Sequence, residues 1–177
     1  MKQKNIIIIG FMGSGKTSVG LKLSYRLHIP VEDTDKIIQR RESCTISEIF
    51  ATQGEEVFRQ METSLLEELG RRTYRRIYSV GGGTPVREEN RKLLKDLGTV
   101  IYLRVRPETV YERLKKDTTR PLLQCEDPLG RICELLQDRT QAYESCADII
   151  VDVDELRTDQ VLEQIEKELD AYETVGH

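Results

Sequence analysis

The sequence predicts an α/β protein in which helices cover both faces of a parallel β-sheet. Short apolar runs typical of strands alternate along the chain with longer segments whose apolar residues recur at helical spacing. This alternation favours βαβ units, and no repeat or Pro/Ser-rich linker interrupts it. A length of 177 residues corresponds to one domain. Because ligands of such sheets bind beyond the carboxyl ends of the strands, the segments that follow the strands are expected to carry the site.

The hydrophobic pattern predicts five strands, at residues 5–9, 31–33, 77–80, 99–105 and 147–151. It predicts six helices, at residues 16–27, 55–72, 88–97, 107–116, 130–145 and 158–172. Residues 34–54 are too long for a simple crossover and are expected to be irregular, apart from a short helix at residues 36–41. Residues 115–126 are polar, basic and aperiodic. Irregular insertions of this kind are functional more often than average.

The composition narrows the classes of partner. The chain has 27 Lys and Arg against 31 Asp and Glu, which gives a net charge of −4. A mildly acidic chain repels nucleic acids and anionic membrane surfaces, and no apolar run approaches the roughly 20 residues that span a bilayer. The four cysteines have no C-x-x-C spacing, so neither a zinc site nor a disulfide framework is expected. We therefore expect a soluble, cytoplasmic protein that binds neither nucleic acid nor membranes. Separately from these observations, we expect a monomer.

A glycine-rich segment after the first strand has the pattern of a phosphate-binding loop. Residues 10–17 match G-x-x-x-x-G-K-[ST] at every defined position, between an Ile-rich strand and a helix. Backbone N–H groups in such a loop surround an anion, Lys16 reaches the β- and γ-phosphates, and the Thr17 hydroxyl is placed to ligate Mg²⁺. A turn that merely joins a strand to a helix has no use for the Lys-Thr pair. We predict binding of a nucleoside triphosphate by Gly13, Ser14, Gly15, Lys16, Thr17 and Ser18.

Two other strand ends carry candidate groups. No strand ends in the Asp of an ordinary Walker-B motif; the third strand runs instead into Gly81, Gly82 and Gly83, where a ligand can lie directly on the main chain. A flexible turn is the alternative for this triplet. Asp33 and Asp35 close the second strand, and in an extended chain both point to the same side, where they can serve a metal and a substrate hydroxyl. The alternative is a helix N-cap, a role that Asp35 alone can fill.

Three arginines are candidates for anion binding. Arg139 lies within a helical apolar stripe, and an inward-facing Arg needs an anionic partner. Arg59 lies at the edge of its own stripe, where the alternative is an exposed ion pair with Glu62, three residues later. Arg120 belongs to the basic segment 115–126, which suits a lid that excludes water and neutralises charge during phosphoryl transfer. A solvated loop is the alternative for this segment.

Together these residues resemble the shikimate kinase family. The resemblance covers nearly the whole chain and rests on the joint occurrence, behind the phosphate-binding loop, of Asp33-Thr-Asp35, Phe58-Arg59-x-x-Glu62, Gly81-Gly-Gly83, Arg120-Pro-Leu-Leu123 and Arg139-x-x-x-Tyr143. It implies a three-layer P-loop fold of the nucleoside-monophosphate-kinase type, with a five-stranded parallel sheet in the order 2-3-1-4-5. It also implies a single domain over residues 1–177, with a substrate-binding region at about residues 34–62 and a lid at about residues 115–126.

The resemblance implies transfer of the γ-phosphoryl group of ATP to the 3-hydroxyl of shikimate, a step of chorismate and aromatic amino-acid biosynthesis. ATP is then the co-substrate and Mg²⁺ the cofactor. By resemblance, the catalytic residues are Lys16, Asp35 and Arg120, and the metal-binding residues are Thr17 and Asp33. Shikimate is a small cyclohexene carboxylate with three hydroxyls. The residues implied to bind it are Asp35, Arg59, Gly81, Gly82, Gly83 and Arg139.

The resemblance also implies supporting roles. Outside the nucleotide site, Ser79 is expected to support the water shell of the metal, and Glu62 is expected to orient Arg59. Phe50 and Phe58 are expected to form the wall of the shikimate pocket. The adenine base is expected between Arg113 and the loop at residues 152–157. Arg113, Arg120 and Arg157 therefore complete the expected nucleotide-binding residues.

Two alternatives to this function stay open. One is another P-loop kinase of a small acid, such as one resembling gluconate kinase. Such an enzyme keeps Lys16 and Thr17 but does not need the glycine triplet and two inward arginines together. The other is a P-loop binding module without catalysis, against which the presence of Asp35 and Arg120 argues.

Overall fold

The computed structural model describes residues 4–117 and 125–174. This part of the chain forms five strands: β1 (Asn5–Ile9), β2 (Val31–Asp33), β3 (Ile77–Ser79), β4 (Gly98–Arg104) and β5 (Ile149–Asp152). It forms eight α-helices: α1 (Lys16–Leu27), α2 (Thr34–Glu42), α3 (Ile46–Gln53), α4 (Glu55–Leu69), α5 (Glu88–Leu97), α6 (Pro107–Leu114), α7 (Pro128–Cys146) and α8 (Thr158–Thr174). None of these helices is long and apolar enough to cross a membrane.

The strands form one parallel sheet in the order β2-β3-β1-β4-β5. β1 lies at the centre, where Ile7 is aligned with Tyr78 of β3 and Val100 of β4. Successive residues of β1 and β4 are buried, because both faces of these strands are covered. α1 packs with α8, while α5 packs with α4 and α7. The predicted fold class and strand order are confirmed.

Residues 34–54 are mostly helical, which corrects the expectation of an irregular insertion. α2 begins directly after β2, where the Asp33 side chain accepts a hydrogen bond from a first-turn backbone N–H at 3.1 Å. Asp33 is therefore the N-cap, whereas Asp35 lies within the first turn. α3 begins with a capping box, in which Thr45 and Glu48 each accept a hydrogen bond from the other's backbone N–H. These caps satisfy N–H groups that a helix leaves unpaired, and so support two short helices.

One helix ends before the expected lid, and another begins after it. α6 ends at Leu114, two residues before its expected end. α7 begins at Pro128, two residues earlier than expected, because Asp127 caps it by accepting a hydrogen bond from the Gly130 N–H at 2.9 Å. Arg120 and most of the expected lid lie outside the described residues.

Candidate active site

The loop between β1 and α1 has the backbone geometry of an anion-binding loop. Gly13 and Gly15 have φ angles of 76° and 94°, left-handed conformations that other residues rarely adopt. Gly15 precedes α1 without a side-chain cap, and the first turn of α1 has no acidic residue. The helix N-terminus can therefore bind an anion through its backbone N–H groups and its dipole. The other predicted members of this site are Ser14 in the loop and Thr17 and Ser18 in the first turn.

Two polar side chains at this loop bear on phosphate binding. The Lys16 ammonium donates hydrogen bonds to the carbonyl oxygens of Gly10 and Phe11, at 2.8 and 3.0 Å. The Ser14 hydroxyl is buried and has no hydrogen-bond partner in the described structure. A buried hydroxyl without a partner is costly unless a ligand satisfies it. The orphaned Ser14 hydroxyl therefore fits the predicted phosphate site.

Arg113 links the two parts of the chain that are expected to enclose the adenine base. Its guanidinium donates to the carbonyl oxygen of Gly13 at 2.8 Å and to that of Val153 at 3.2 Å. Arg157 is exposed just before α8, where its backbone N–H donates to the Gln160 side chain at 2.9 Å. Its guanidinium forms no hydrogen bond or ion pair with another described residue. Contact of Arg157 with the nucleotide stays a prediction.

The residues expected to hold Mg²⁺ line one groove. Thr17, Asp33 and Ser79 share a cavity of about 660 Å³ at the carboxyl ends of the strands. Their hydroxyl and carboxylate oxygens are donors that suit Mg²⁺. The described residues contain no group of three His, Cys, Asp or Glu side chains that could hold a metal ion by itself. An Mg²⁺ ion here would need water and phosphate oxygens as further ligands, so the residues fit a metal that arrives with a nucleotide.

Asp35 lies against the glycine triplet. A Cβ atom built on Gly81 would be 2.5 Å from Asp35 Oδ1, so the absence of a side chain at Gly81 leaves room for the carboxylate. Burial, and then the carboxylates of Asp33 and Glu62, raise the pKa of Asp35 to about 6. The cations that oppose this shift are Lys16 and Arg59. Oδ1 is buried without a hydrogen-bond partner in the described structure. A carboxyl group with this pKa can exchange a proton near neutral pH.

Arg59 lies at Gly83, at the other end of the triplet. A Cβ atom built on Gly83 would overlap the Arg59 guanidinium. Nη1 of Arg59 is 2.7 Å from Glu62 Oε2, and Nη2 is 2.9 Å from Glu55 Oε1. Glu62 is 2% exposed, and its Oε1 accepts a hydrogen bond from the Thr84 hydroxyl. The pair with Glu62 is therefore buried, unlike the exposed ion pair considered as the alternative, and its geometry supports the orienting role expected of Glu62.

Arg139 has no carboxylate partner among the described residues. Its guanidinium carbon lies 5.7 Å from the centre of the Phe11 ring, which belongs to the phosphate-binding loop. One helical turn later, the buried Tyr143 donates a hydrogen bond to the Gly82 carbonyl oxygen at 2.5 Å. Arg139 thus brings to the middle of the triplet a positive charge that no described carboxylate neutralises. A partly buried charge in this state favours an anionic ligand.

Four residues of this region were not recognised from the sequence. The Thr34 hydroxyl accepts a hydrogen bond from the Gly81 N–H at 3.1 Å, and Thr84 binds Glu62 as described above. The Asn90 side chain donates to the Thr84 carbonyl oxygen at 3.0 Å. Adjacency to candidate residues in the sequence is the signal that could have identified the two threonines and, within the phosphate-binding loop, Phe11. Asn90 carries no such signal, because tertiary packing brings it to the site.

The family is decided by similarity to known proteins. A family model for shikimate kinase matches residues 12–170. The chain belongs to the shikimate kinase family. A shikimate kinase of Thermodesulfovibrio yellowstonii is 43% identical over 93% of this chain and 94% of its own length. The shikimate kinase of Thioalkalivibrio sulfidiphilus is 40% identical over 92% of this chain and 85% of its own length. The family predicted from the sequence is confirmed.

Solved structures agree with membership of the shikimate kinase family. The shikimate kinase of Acinetobacter baumannii, in complex with shikimate, has a TM-score of 0.89 and is 34% identical, over 96% of this chain and 94% of its own. The shikimate kinase of Aquifex aeolicus has a TM-score of 0.81 at 34% identity, over 98% of this chain and 99% of its own. A gluconokinase of Sinorhizobium meliloti has a TM-score of 0.55 at 16% identity, over 99% of each chain, and shares the fold alone. The chain is therefore a kinase of the shikimate kinase family, with ATP as the co-substrate of that family.

Proposed function

We propose that this chain transfers the γ-phosphoryl group of ATP to the 3-hydroxyl of shikimate, giving shikimate 3-phosphate for aromatic amino-acid biosynthesis. One observation carries the proposal: Asp35, with its raised pKa, lies against Gly81, and Arg139, without a carboxylate partner, lies beside the Tyr143 hydroxyl that binds Gly82. The triplet packs directly on the phosphate-binding loop, since a Cβ atom on Gly82 would be 3.3 Å from the Gly10 carbonyl oxygen. Shikimate, as a hydroxylated carboxylate, offers a partner to both residues.

In the proposed reaction, the 3-hydroxyl oxygen of shikimate attacks the γ-phosphorus of ATP. The new O–P bond forms as the bond to the β-phosphate oxygen breaks, and ADP leaves. The hydroxyl proton passes to Asp35, whose pKa of about 6 allows it to accept the proton and later return it to water. The buried Oδ1 without a partner supports this role, because a substrate hydroxyl would satisfy it.

On the donor side, backbone N–H groups of Gly13 and the residues after it hold the phosphates in this proposal. Lys16 exchanges its loop carbonyls for the β- and γ-phosphate oxygens, where its charge stabilises the transferring group. Thr17 and Asp33 would hold Mg²⁺ together with water, and Ser79 would support that water. The metal would supply positive charge that offsets the charge of the phosphates. Arg113 supports the base from the side of Val153.

Two parts of this proposal rest on the resemblance alone. Arg120 supplies a second cation to the transferring phosphoryl group, from a lid at about residues 115–126. Arg120→Ala should therefore lower kcat more than it weakens shikimate binding. Arg157 completes the nucleotide site. Steady-state kinetics on both arginine variants test these assignments, and an unchanged kcat in Arg120→Ala would remove it from the mechanism.

On the acceptor side, Arg139 and Arg59 bind the shikimate carboxylate together with the Gly82 N–H in this proposal. The two arginines differ in what they contribute. Arg59 is already paired with two carboxylates, so it mainly contributes N–H donors aimed at the substrate carboxylate. Arg139 adds a positive charge that no described carboxylate neutralises. The glycines on either side of Gly82 leave the room that Asp35 and Arg59 occupy. Edge-to-face packing at a ring distance of 5.2 Å supports the pocket wall formed by Phe50 and Phe58.

We further propose that residues 1–177 act as one domain, as a monomer, in the cytoplasm. The cysteines Cys44, Cys125, Cys133 and Cys146 are free thiols, which suits a reducing compartment. Light scattering on the purified chain tests the monomer, and a stable dimer mass would overturn it.

Release of ADP by the purified chain tests the proposed function directly. ATP and Mg²⁺ are supplied with shikimate, with gluconate or with no acceptor. Shikimate should stimulate ADP release strongly, gluconate should not, and EDTA should abolish the reaction. Equal stimulation by gluconate would favour a kinase of broader acid specificity. ADP release that responds to neither acid would favour a binding module without this catalysis.

A further inference from the structure

Tyr143 forms a hydrogen bond with Gly82, the middle residue of the glycine triplet. Its side chain is fully buried on α7, and its hydroxyl donates to the Gly82 carbonyl oxygen at 2.5 Å. Burial raises the pKa of Tyr143 to about 12, so the hydroxyl keeps its proton and remains a donor at any physiological pH. The ring packs on Tyr102 of β4, with ring centres 5.0 Å apart. The position of the hydroxyl at Gly82 is therefore fixed by the packing of its ring.

This bond ties the glycine triplet to α7. The triplet forms a turn in which the Gly81 and Gly83 carbonyl oxygens accept hydrogen bonds from the backbone N–H groups of Thr84 and Val86, each at 3.1 Å. The first of these bonds fixes the plane of the Gly81–Gly82 peptide, which carries the Gly82 N–H, because the peptide unit is planar. The Tyr143 bond fixes the next peptide, Gly82–Gly83. The place of the turn relative to α7 is thus set by a side chain of that helix.

Arg139 is the other group that depends on this tyrosine. Arg139 and Tyr143 are four residues apart on α7, which places them on the same face of the helix. The Arg139 guanidinium lies close enough to the Tyr143 hydroxyl to lower its pKa, against the larger effect of burial. The Phe11 ring supports the guanidinium at 5.7 Å. One hydroxyl therefore lies between the proposed carboxylate-binding Arg and the proposed carboxylate-binding backbone.

We propose that Tyr143 is a positioning residue, which sets the spacing between the Arg139 guanidinium and the Gly82 N–H to fit one planar carboxylate. Tyr143 itself touches neither substrate. The inference rests on the proposed function, in which these two groups bind the carboxylate of shikimate. It adds a supporting residue to the carboxylate clamp formed by Arg59, Arg139 and Gly82, and it assigns a purpose to the Tyr143 hydroxyl, as distinct from the ring.

Tyr143→Phe removes the hydroxyl and keeps the ring. We expect the KM for shikimate to rise about fivefold, as for one lost hydrogen bond, with kcat within about twofold of wild type. The KM for ATP should be unchanged. The wild-type preference for shikimate over its neutral carboxamide should also shrink, because the clamp no longer matches a carboxylate. A general loss of stability would alter the active fraction and the Tm, but not this preference.

Tyr102→Phe is the matched control. Tyr102 is the ring partner of Tyr143, and it also lines a crevice beside β5 that contains none of the residues proposed to bind shikimate. Losing its hydroxyl should leave both KM values and the carboxamide preference unchanged. If Tyr143→Phe behaves like Tyr102→Phe, the positioning role is wrong. If Arg139→Lys also leaves the KM for shikimate unchanged, the proposed clamp itself is wrong.

A second measurement needs no variant. In wild-type protein, proton NMR should show a slowly exchanging Tyr143 hydroxyl proton, as expected of a buried donor. Its exchange with water should slow further when shikimate binds, because the clamp closes on a fixed ligand. A hydroxyl proton that exchanges equally fast with and without shikimate would overturn the inference.

Discussion

Glu62 holds Arg59 from inside the protein. Glu62 is 2% exposed, and its Oε2 lies 2.7 Å from Arg59 Nη1. Glu55 binds the same guanidinium at 2.9 Å, but its side chain is 62% exposed. Charges that are shielded from water interact more strongly than exposed ones, which solvent and salt screen. Arg59 thus has a buried carboxylate partner, Glu62, and an exposed one, Glu55. Removing the charge of each should have different effects on stability and on shikimate binding.

Glu62→Gln should loosen Arg59 and weaken shikimate binding. We expect the KM for shikimate to rise about tenfold, and the free energy of unfolding to fall by about 1–3 kcal/mol, because a buried charged hydrogen bond is lost. Steady-state kinetics and denaturant unfolding measure the two effects. Glu55→Gln is the control and should change stability by less than about 0.5 kcal/mol. Equal effects of the two substitutions would show that burial of the pair has no role.

Arg139→Lys should weaken shikimate binding more than Arg59→Lys. Lys lacks the planar, two-pronged donor geometry of Arg, and Arg139 has no described carboxylate to share its charge. We expect the KM for shikimate to rise roughly ten- to hundredfold in each variant, with the larger effect at Arg139, and the KM for ATP to change little.

A neutral carboxamide analogue of shikimate distinguishes loss of carboxylate recognition from general damage to the pocket. Wild type should reject the carboxamide strongly, and both lysine variants should reject it less. If wild type phosphorylates shikimate and its carboxamide equally well, the arginines do not recognise the carboxylate.

The sheet and the catalytic candidates could be predicted because their signals are local. The phosphate-binding loop is eight consecutive residues, and β1 and β4 each contain an unbroken run of four apolar residues. α3 was missed because eight residues are too few for a helical period to stand out, although Thr45 and Glu48 mark its start. Asp33 and Asp35 were identified as a pair, but which of them caps α2 depends on where the chain turns into the helix.

The hydrogen bonds that position the site residues could not be predicted, because they join residues that are far apart in the sequence. Tyr143 and Gly82 are 61 positions apart, and Arg113 and Gly13 are 100 apart. No pattern within one element reports such a pairing. The sequence also does not show whether an ion pair is exposed. Arg59 and Glu62 have the spacing of a surface pair, but Glu62 is buried in the fold, where its side chain accepts a hydrogen bond from Thr84.

Asp35→Asn should stabilise the protein at neutral pH while removing activity. The folded-state pKa of Asp35, about 6, exceeds its ordinary value of 3.8. Its contribution to stability is therefore present below about pH 4 and is lost as the pH rises through about 6, where the carboxylate becomes charged in a buried place. The advantage of Asp35→Asn over wild type in free energy of unfolding should grow from pH 4.5 to 7.5, up to about 3 kcal/mol, with a matching rise of its Tm advantage.

Thermal unfolding at several pH values measures this difference. A Tm difference that stays constant with pH would show that Asp35 has an ordinary pKa in the folded protein. Activity is assayed on the same samples, since a variant that is more stable and still active would remove Asp35 from proton transfer.

Lys16→Ala should abolish turnover and leave the fold intact. Lys16 donates hydrogen bonds to two carbonyl oxygens of its own loop, and its proposed task is to stabilise charge on the transferring phosphoryl group. We expect kcat to fall at least about 100-fold, with a circular dichroism spectrum and Tm close to those of wild type. Lys22→Ala is the control on the same helix, where the side chain is 49% exposed and pairs with Asp159 at 3.9 Å. Normal turnover by folded Lys16→Ala protein would exclude the loop from the mechanism.

The position of the phosphate on the product tests the central claim most directly. The purified chain is incubated with ATP, Mg²⁺ and shikimate, and the product is identified by phosphorus–proton correlation in NMR. Clamping the carboxylate by Arg139 and Arg59, with Asp35 at one hydroxyl, predicts a single product, shikimate 3-phosphate, and one ADP for each product molecule. Phosphate on another hydroxyl, a mixture of positions, or ADP without a phosphorylated acid would contradict the account.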